Sequence, residues 1–270
     1  MRTAELGRGT ARGAMGDDWT NTEIDALHLS EEEKAGLQVY RNYTKAFERY
    51  AIDVFVQELD KEDLDLTACK RVVRWITTEE PRVVPIVACA FADEVLRQVL
   101  EGIAPEDVPG GRASLFGGYG PLSSLAQRIQ VAYAFRALSQ DLLKDLDRLR
   151  VARNTISHSW NLDDISEFYS KGAVANLYPI EETMREFQRF SGLAKEISPL
   201  EIFRIRTIWA IARLRYEAAT YNRAKQRGLD PYRALYGKAS PRWLAEISGM
   251  AVEATLKTLK MEPQNSKSLD

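Results

Sequence analysis

Helical patterning extends over nearly the whole chain, and this feature most restricts the fold that the chain can adopt. Its middle contains no Asn-Gly hairpin signal and no sustained alternation of apolar and polar residues. Short breaks, such as residues 101–120 and 198–200, separate the periodic segments. The predicted helices cover residues 30–59, 66–77, 81–102, 121–138, 140–160, 181–192, 199–227 and 241–260. We therefore predict an all-α bundle with additional helices at both ends.

Composition and charge limit the classes of function. Of the 270 residues, 45% are hydrophobic and 28% are charged, and the net charge is −2, so no global field attracts nucleic acid or a membrane. The longest apolar run, residues 83–92, contains Pro85 and is too short to span a bilayer. Cys69 and Cys89 lack metal-ligand spacing, and we expect neither a metal site nor a cofactor. We predict a cytoplasmic protein that does not bind membranes.

The same patterns divide the chain into five parts. Residues 1–22 and 261–270 lack periodicity, and we expect them to be disordered tails. N-terminal helices are predicted over residues 23–78, and the core of the bundle over residues 79–165. A C-terminal helical extension, residues 166–260, is expected to pack on that core.

An arginine interrupts the apolar stripe of the helix at 140–160. The stripe consists of Leu142, Leu146, Leu149, Ile156 and Trp160. The same spacing places Arg153 within the stripe, where a buried guanidinium needs a carboxylate or phosphate partner. Glu94, which follows an apolar stretch of the preceding long helix, is the first candidate for that partner. The interpretation that remains open beside it is a structural ion pair that only fixes the packing of the helices.

A histidine follows this arginine at a spacing that suits acid–base chemistry on a phosphodiester. His158 can donate or accept a proton near neutral pH, and the Arg153 guanidinium matches phosphate oxygens. Asn154 lies one turn before His158 and can orient it or bind phosphate. On an ideal helix, Arg153 and His158 lie about 140° apart, so the helix has to distort or a second chain has to complete the site. An exposed helix-end histidine that interacts with the helix dipole is the plainer alternative.

The segment "RNTISH" matches the R-x(4–6)-H signature and resembles the HEPN superfamily, whose domains are helical bundles. The runs "GYGPLSSLAQRIQVAYAFRAL", "LLKDLDRLRVARNTISHS" and "FADEVL" are similar to the mannitol operon repressor family of that superfamily, over about residues 80–160. The resemblance implies a homodimeric, metal-independent endoribonuclease of defence, toxin or RNA-processing type, in some cases neutralised by a protein antitoxin. Its site would consist of Arg153, Asn154, His158 and Glu94. It also implies an alternative, a non-catalytic transcriptional regulator that acts through protein contacts.

A basic and aromatic stretch, residues 203–233, suggests a second way of binding RNA. Its candidate phosphate ligands are Arg204, Arg206, Arg213, Arg215 and Arg223, and its candidate stacking rings are Trp209, Tyr216, Tyr221 and Tyr232. This pattern leaves open an RNA-binding module without cleavage. It equally fits an amphipathic helix whose aromatic residues pack inward and whose arginines are solvated.

The glycines before the helix at 121–138 admit two interpretations. Gly117, Gly118 and Gly120 could cradle a phosphate at a helix N-terminus, although they match neither common phosphate-binding motif. A tight turn with Pro121 at the first helical position explains them better.

Overall fold

The computed structural model of the chain describes residues 22–158, 198–237 and 239–260. All regular secondary structure in these ranges is helical, which confirms the predicted all-α fold. The helices are α1 (Thr22–Asp25), α2 (Glu31–Leu59), α3 (Thr67–Thr78), α4 (Val83–Ile103), α5 (Arg112–Phe116), α6 (Leu125–Ala134), α7 (Gln140–His158), α8 (Pro199–Gln226), α9 (Pro231–Gly237) and α10 (Pro241–Thr258). The predicted helix at 181–192 and nearly all of both predicted tails lie outside the described residues.

Serine residues begin several of these helices. At α2 the Ser30 hydroxyl accepts a hydrogen bond from the Glu33 amide at 3.2 Å, and the Glu33 carboxylate accepts one from the Ser30 amide at 2.8 Å. Ser124 and Ser198 form the same reciprocal pair at the starts of α6 and α8. Each pair satisfies two backbone donors that a helix start otherwise leaves without partners. These caps explain why the sequence pattern located the starts of α2 and α8 to within one residue.

Helix α6 is shorter than predicted at both ends. It begins at Leu125 because Ser124, and not Pro121, caps its first turn. Pro121 lies in the preceding turn, so its predicted place at the first helical position is wrong. The helix ends at Ala134, and Arg136 adopts a left-handed conformation with φ of 59° that no α-helix continues through.

The chain divides within α2 into two compact units, Met1–Val54 and Phe55–Asp270. The predicted boundaries at 78/79 and 165/166 do not coincide with this division. In the second unit, α3 packs against α4 and α8, and α10 packs against α3 and α8. Helices from three of the predicted segments therefore share one core.

Helix α8 is the central helix of the second unit. It packs against α3, α4, α7, α9 and α10. Its buried side chains point in all directions around the helix and include Ile208, Trp209, Ile211, Leu214 and Tyr216. A helix that is buried on all sides belongs in the middle of a bundle. Helix α4, predicted as a buried helix, packs against α3, α6, α7 and α8.

Candidate functional site

The apolar stripe of α7 passes through Ala152 and not through Arg153. Leu142, Leu146 and Leu149 are buried as predicted, and the stripe continues through Ala152 to Ile156. Steps of three and four residues keep these positions on one helix face, and Arg153 is half-buried at the edge of that face. The predicted place of Arg153 in the middle of the stripe is therefore wrong by one residue. Trp160, the last predicted member, lies outside the described residues.

A neutral amide holds the guanidinium of Arg153. Its Nε and Nη2 donate hydrogen bonds to Oδ1 of Asn154 at 3.2 and 2.9 Å. Both side chains are half-buried, so the contact forms in partial shelter from water. Asn154 was predicted to orient His158 or bind phosphate, and in the structure its amide oxygen positions Arg153. Because the partner is neutral, the positive charge of the guanidinium is not compensated by this contact.

The predicted ion pair between Arg153 and Glu94 is not formed. Glu94 is exposed on α4, and its carboxylate accepts a hydrogen bond from Nε2 of Gln98 at 2.8 Å. The neighbouring carboxylate, Asp93, instead meets an arginine of α6, Arg128, at 2.5 Å. Adjacent residues of a helix differ in direction by about 100°, so Asp93 and Glu94 cannot both face α6. Glu94 accepts its hydrogen bond from Gln98 and makes no ion pair with Arg153, so it does not orient Arg153.

The ion pair between Asp93 and Arg128 gives a structural reason for the arginine in the run "GYGPLSSLAQRIQVAYAFRAL". Arg128 is buried, and its Nε donates to the carbonyl of Leu122 at 2.8 Å while its guanidinium lies 5.6 Å from the ring centre of Phe116. This one side chain ties α4 and α6 to the loop between them. Arg128 was not predicted as a site residue, and its role in the structure is packing.

Gly120 lies where another chain segment passes very close. A Cβ atom at this position would lie 2.3 Å from the carbonyl oxygen of Ser114, which is closer than any side chain tolerates. The glycine is thus required by a tight turn, which agrees with the turn interpretation of the glycine run. Together with the arginine anchor, it makes this loop a structural element.

Both native cysteines are buried, and one of them lies near Arg153. Burial raises the pKa of the Cys89 thiol to about 11, and the positive charge of Arg153 opposes this rise. Burial likewise raises the pKa of Cys69 to about 12. Neither thiol forms the thiolate that nucleophilic chemistry needs at neutral pH.

His158 is exposed at the C-terminal end of α7, and the helix is continuous up to it. A continuous helix separates Arg153 and His158 by about 140° around the axis and about 7.5 Å along it. The helix does not distort to bring the two side chains onto one face. Of the two arrangements that the sequence allowed for a joint site, only the one completed by a second chain fits this geometry.

The arginines of residues 203–233 are largely engaged within the protein. Arg213 is only 4% exposed, and its Nε contacts the Glu217 carboxylate at 2.8 Å. The amide and hydroxyl of Ser139 donate to the same carboxylate at 2.8 and 2.7 Å, so this buried group also holds the start of α7. Arg213 cannot contact RNA from this position. Its predicted role as an RNA ligand is wrong.

The other four predicted RNA ligands do not form a common exposed face. Arg204 donates to the carbonyls of Thr77 and Glu79, and Arg215 donates to the carbonyl of Asp65. Arg206 is half-buried, and burial, followed by the charge of Arg148, lowers its pKa. Of the five, only Arg223 is exposed, and it pairs with Glu62 at 2.7 Å. The rings of Trp209, Tyr216 and Tyr221 are buried, which confirms for these three the inward packing that the sequence left open. The fourth predicted ring, Tyr232, is exposed, and the guanidinium of Arg136 lies 4.9 Å from its centre.

A groove between α3 and α10 was not found by sequence analysis. It has a volume of about 860 Å³, and α3 contributes three cationic side chains to its wall, those of Lys70, Arg71 and Arg74. The wall formed by α10 is mixed, with Glu253 paired to Lys257 at 2.6 Å. The three exposed cations are spaced one and three residues apart. This pattern is too short for the sequence to distinguish a groove wall from an ordinary solvated helix face.

The described residues contain no cluster of three or more His, Cys, Asp or Glu side chains arranged to hold a metal ion. In the same part of the chain, no helix combines the length and the apolar character needed to cross a membrane. Comparison of the chain with protein-family models, with curated proteins and with solved structures finds no significant match.

Proposed function

We propose that the protein is a metal-independent endoribonuclease of HEPN type that cleaves RNA to 2′,3′-cyclic phosphate ends, in defence, toxin or RNA-processing systems. One observation supports this proposal above the others. Arg153 is half-buried, is positioned by the neutral Asn154, and has no carboxylate within ion-pair distance among the described residues. An oriented cation without a compensating anion is suited to bind a phosphate group.

The chemistry assigns a role to each of three side chains. Deprotonation of the ribose 2′-hydroxyl by an imidazole lets its oxygen attack the phosphorus. As that bond forms, the bond from phosphorus to the 5′-oxygen breaks, and the leaving oxygen takes a proton from a second acid. Arg153 binds the phosphoryl oxygens as their negative charge grows, and Asn154 keeps its guanidinium in place. His158 serves as the acid–base group.

The arrangement requires two chains. His158 and the Arg153 of its own chain point in different directions on a continuous α7. A single phosphate can meet both types of side chain when two α7 helices face each other around it. A two-fold pair of chains would also supply the two imidazoles that a base and an acid require. We therefore place the active site between two copies of the chain.

The test is cleavage of single-stranded RNA by the purified chain in EDTA, with analysis of the product ends. His158→Ala should lower the cleavage rate by about 100- to 10,000-fold, the usual contribution of an acid–base group. Arg153→Gln should lower it similarly, since it removes the cation and keeps a polar side chain. His28→Ala is the matched control, because His28 is the other histidine of the chain and is exposed. If His158→Ala cleaves as fast as the parent protein, the catalytic assignment is wrong.

A second candidate function is a non-catalytic regulator that acts through protein contacts. The exposed position of His158 favours it, because a continuous α7 keeps this histidine away from the Arg153 of its own chain. The packing roles of Arg128 and Gly120 are also fully compatible with a bundle that has no activity. Absence of RNA cleavage by a well-folded parent protein would favour this candidate over the nuclease.

A further inference from the structure

The first unit exposes an unusual helix face. Tyr40, Tyr43, Phe47 and Tyr50 of α2 are between 63% and 70% exposed, and they follow one another at steps of three, four and three residues. This spacing keeps the four rings within about 80° of arc along the helix. Single exposed apolar residues are common on protein surfaces, but a contiguous stripe of four rings indicates an interaction site. We call these four residues the α2 stripe.

The opposite face of the same helix is polar and less exposed. Gln38 and Asn42 are half-buried there, and Nε2 of Gln38 donates to Oδ1 of Asn42 at 3.0 Å. Lys45 lies on the same side and is also half-buried. An amphipathic helix in a monomer normally does the reverse and places its apolar side inward. The reversed arrangement indicates that a further surface covers the α2 stripe.

The pattern of the stripe identifies the kind of surface. Alternating steps of three and four residues form the seam of a coiled coil, in which each helix presents the same seam to its partner. The stripe extends by another step of four residues to Val54, so it occupies two heptads of a 29-residue helix. The positions that flank the stripe over its aromatic part, Val39, Thr44, Ala46 and Ala51, are uncharged.

Uncharged flanking positions favour the packing of a helix against a second copy of itself. Identical helices bring identical charges together, and like charges beside a seam oppose association. Here the side chains beside the seam are small or apolar, so two copies approach without that repulsion. A helix designed for a partner of opposite charge would instead carry charged residues at these positions.

The available area also matches a dimer. A buried aromatic side chain removes about 150–250 Å² from water, so four rings that are two thirds exposed offer on the order of 500 Å² per chain. Two copies with the flanking Val39 and Leu37 reach about 1,200 Å², the lower end of the range for stable interfaces.

From these observations we infer that the chain forms a homodimer through the α2 stripe, with two α2 helices packed along their aromatic seams. The inference uses no residue of α7 and does not depend on nuclease activity. It names the occupant of the stripe as a second copy of the chain.

The experiment is measurement of molar mass by light scattering and sedimentation on the full chain at micromolar concentration. The parent protein should have twice the 30.6 kDa mass of one chain. Phe47→Glu places a charge in the centre of the seam and should weaken the dimer about 100-fold, so that the monomer predominates. Phe47→Leu keeps the seam apolar and should remain dimeric.

The control is Ala35→Glu, which adds the same side chain to an exposed position of α2 away from the stripe and should remain dimeric. Circular dichroism should show the same helicity in all variants, since Phe47 is 63% exposed. A monomeric parent protein, or a Phe47→Glu variant as dimeric as the parent, would overturn the inference. A stable dimer without RNA cleavage would refute only the proposed nuclease, and a cleaving monomer would refute both the dimer and the two-chain active site.

Discussion

Helices α8 and α2 both interleave aromatic and basic side chains, and their aromatic residues have opposite environments. In α8 the rings of Trp209, Tyr216 and Tyr221 are at most 3% exposed. In α2 the rings of the stripe are about two thirds exposed. The basic residues differ as well, since Arg213 of α8 is buried against a carboxylate. Aromatic and basic composition alone therefore does not distinguish a binding surface from a core helix.

The largest predicted loss of stability comes from breaking the buried ion pair of α8. Glu217→Ala should destabilise the protein by about 3–5 kcal/mol, because it leaves the Arg213 guanidinium buried without its anion and removes the acceptor of two Ser139 hydrogen bonds. Urea unfolding followed by circular dichroism measures this change. The double variant Arg213→Met/Glu217→Leu should recover part of the loss, because it removes both charges together. Equal stability of Glu217→Ala and the parent would show that α8 is not held by this buried pair.

A smaller effect concerns a carboxylate of α7 that faces the charges of α8. Burial raises the pKa of Asp145 from 3.8 to about 6, and the charges of Arg148 and Arg213 oppose the rise. Because the folded-state pKa is the higher one, the stabilisation that accompanies the neutral form is complete below about pH 4. It is lost as the pH rises through about 6.

Asp145→Asn should therefore be more stable than the parent at pH 7, by about 2 kcal/mol, and equally stable at pH 4. Urea unfolding of both proteins at several pH values measures the difference. Asp147→Asn, on the more exposed side of the same helix, should change stability by less than about 0.5 kcal/mol at either pH. A pH-independent difference between Asp145→Asn and the parent would show that burial does not control this carboxylate.

The smallest predicted change in stability comes from removing an exposed ring of the α2 stripe. Phe47→Ala should change the unfolding free energy of the monomer by less than about 0.5 kcal/mol, since its ring is 63% exposed. Trp209→Ala, the matched change in α8, should cost about 3–5 kcal/mol. Both values should be measured at protein concentrations low enough for the chain to be monomeric, so that dimer formation does not contribute. A large loss for Phe47→Ala would mean that α2 is part of a core.

The sequence predicted the helices well and the environment of single side chains poorly. Serine caps such as Ser30 and Ser198 mark helix starts locally, so the bounds of α2 and α8 followed from the pattern. The error at Arg153 is a shift of one residue, because Ala152 takes the buried position. Glu94 was predicted to pair with Arg153 and does not, whereas the neighbouring Asp93 pairs with Arg128 of α6. One residue turns a helix by about 100°, and only the positions of neighbouring helices decide which direction is buried.

The same dependence on neighbouring helices explains why the sequence pattern pointed to α8, and not to α2, as a binding helix. Arg213 has a carboxylate four residues away, Glu217, which a helical pattern could have identified as a partner. The burial of both side chains depends on the five helices around α8, which no local pattern reports. The α2 stripe, in contrast, has a spacing that is visible in the sequence, but its exposure is visible only in the structure.

The environment of the two cysteines has a practical consequence. The chain contains no cysteine besides Cys69 and Cys89, and both thiols remain protonated and buried at neutral pH. Maleimides and similar reagents react with exposed thiolates, so the folded native chain offers them no target. A cysteine introduced at one exposed position becomes the single point of attachment for a fluorophore or spin label. Distances between copies of the chain are then measurable without first removing the native cysteines.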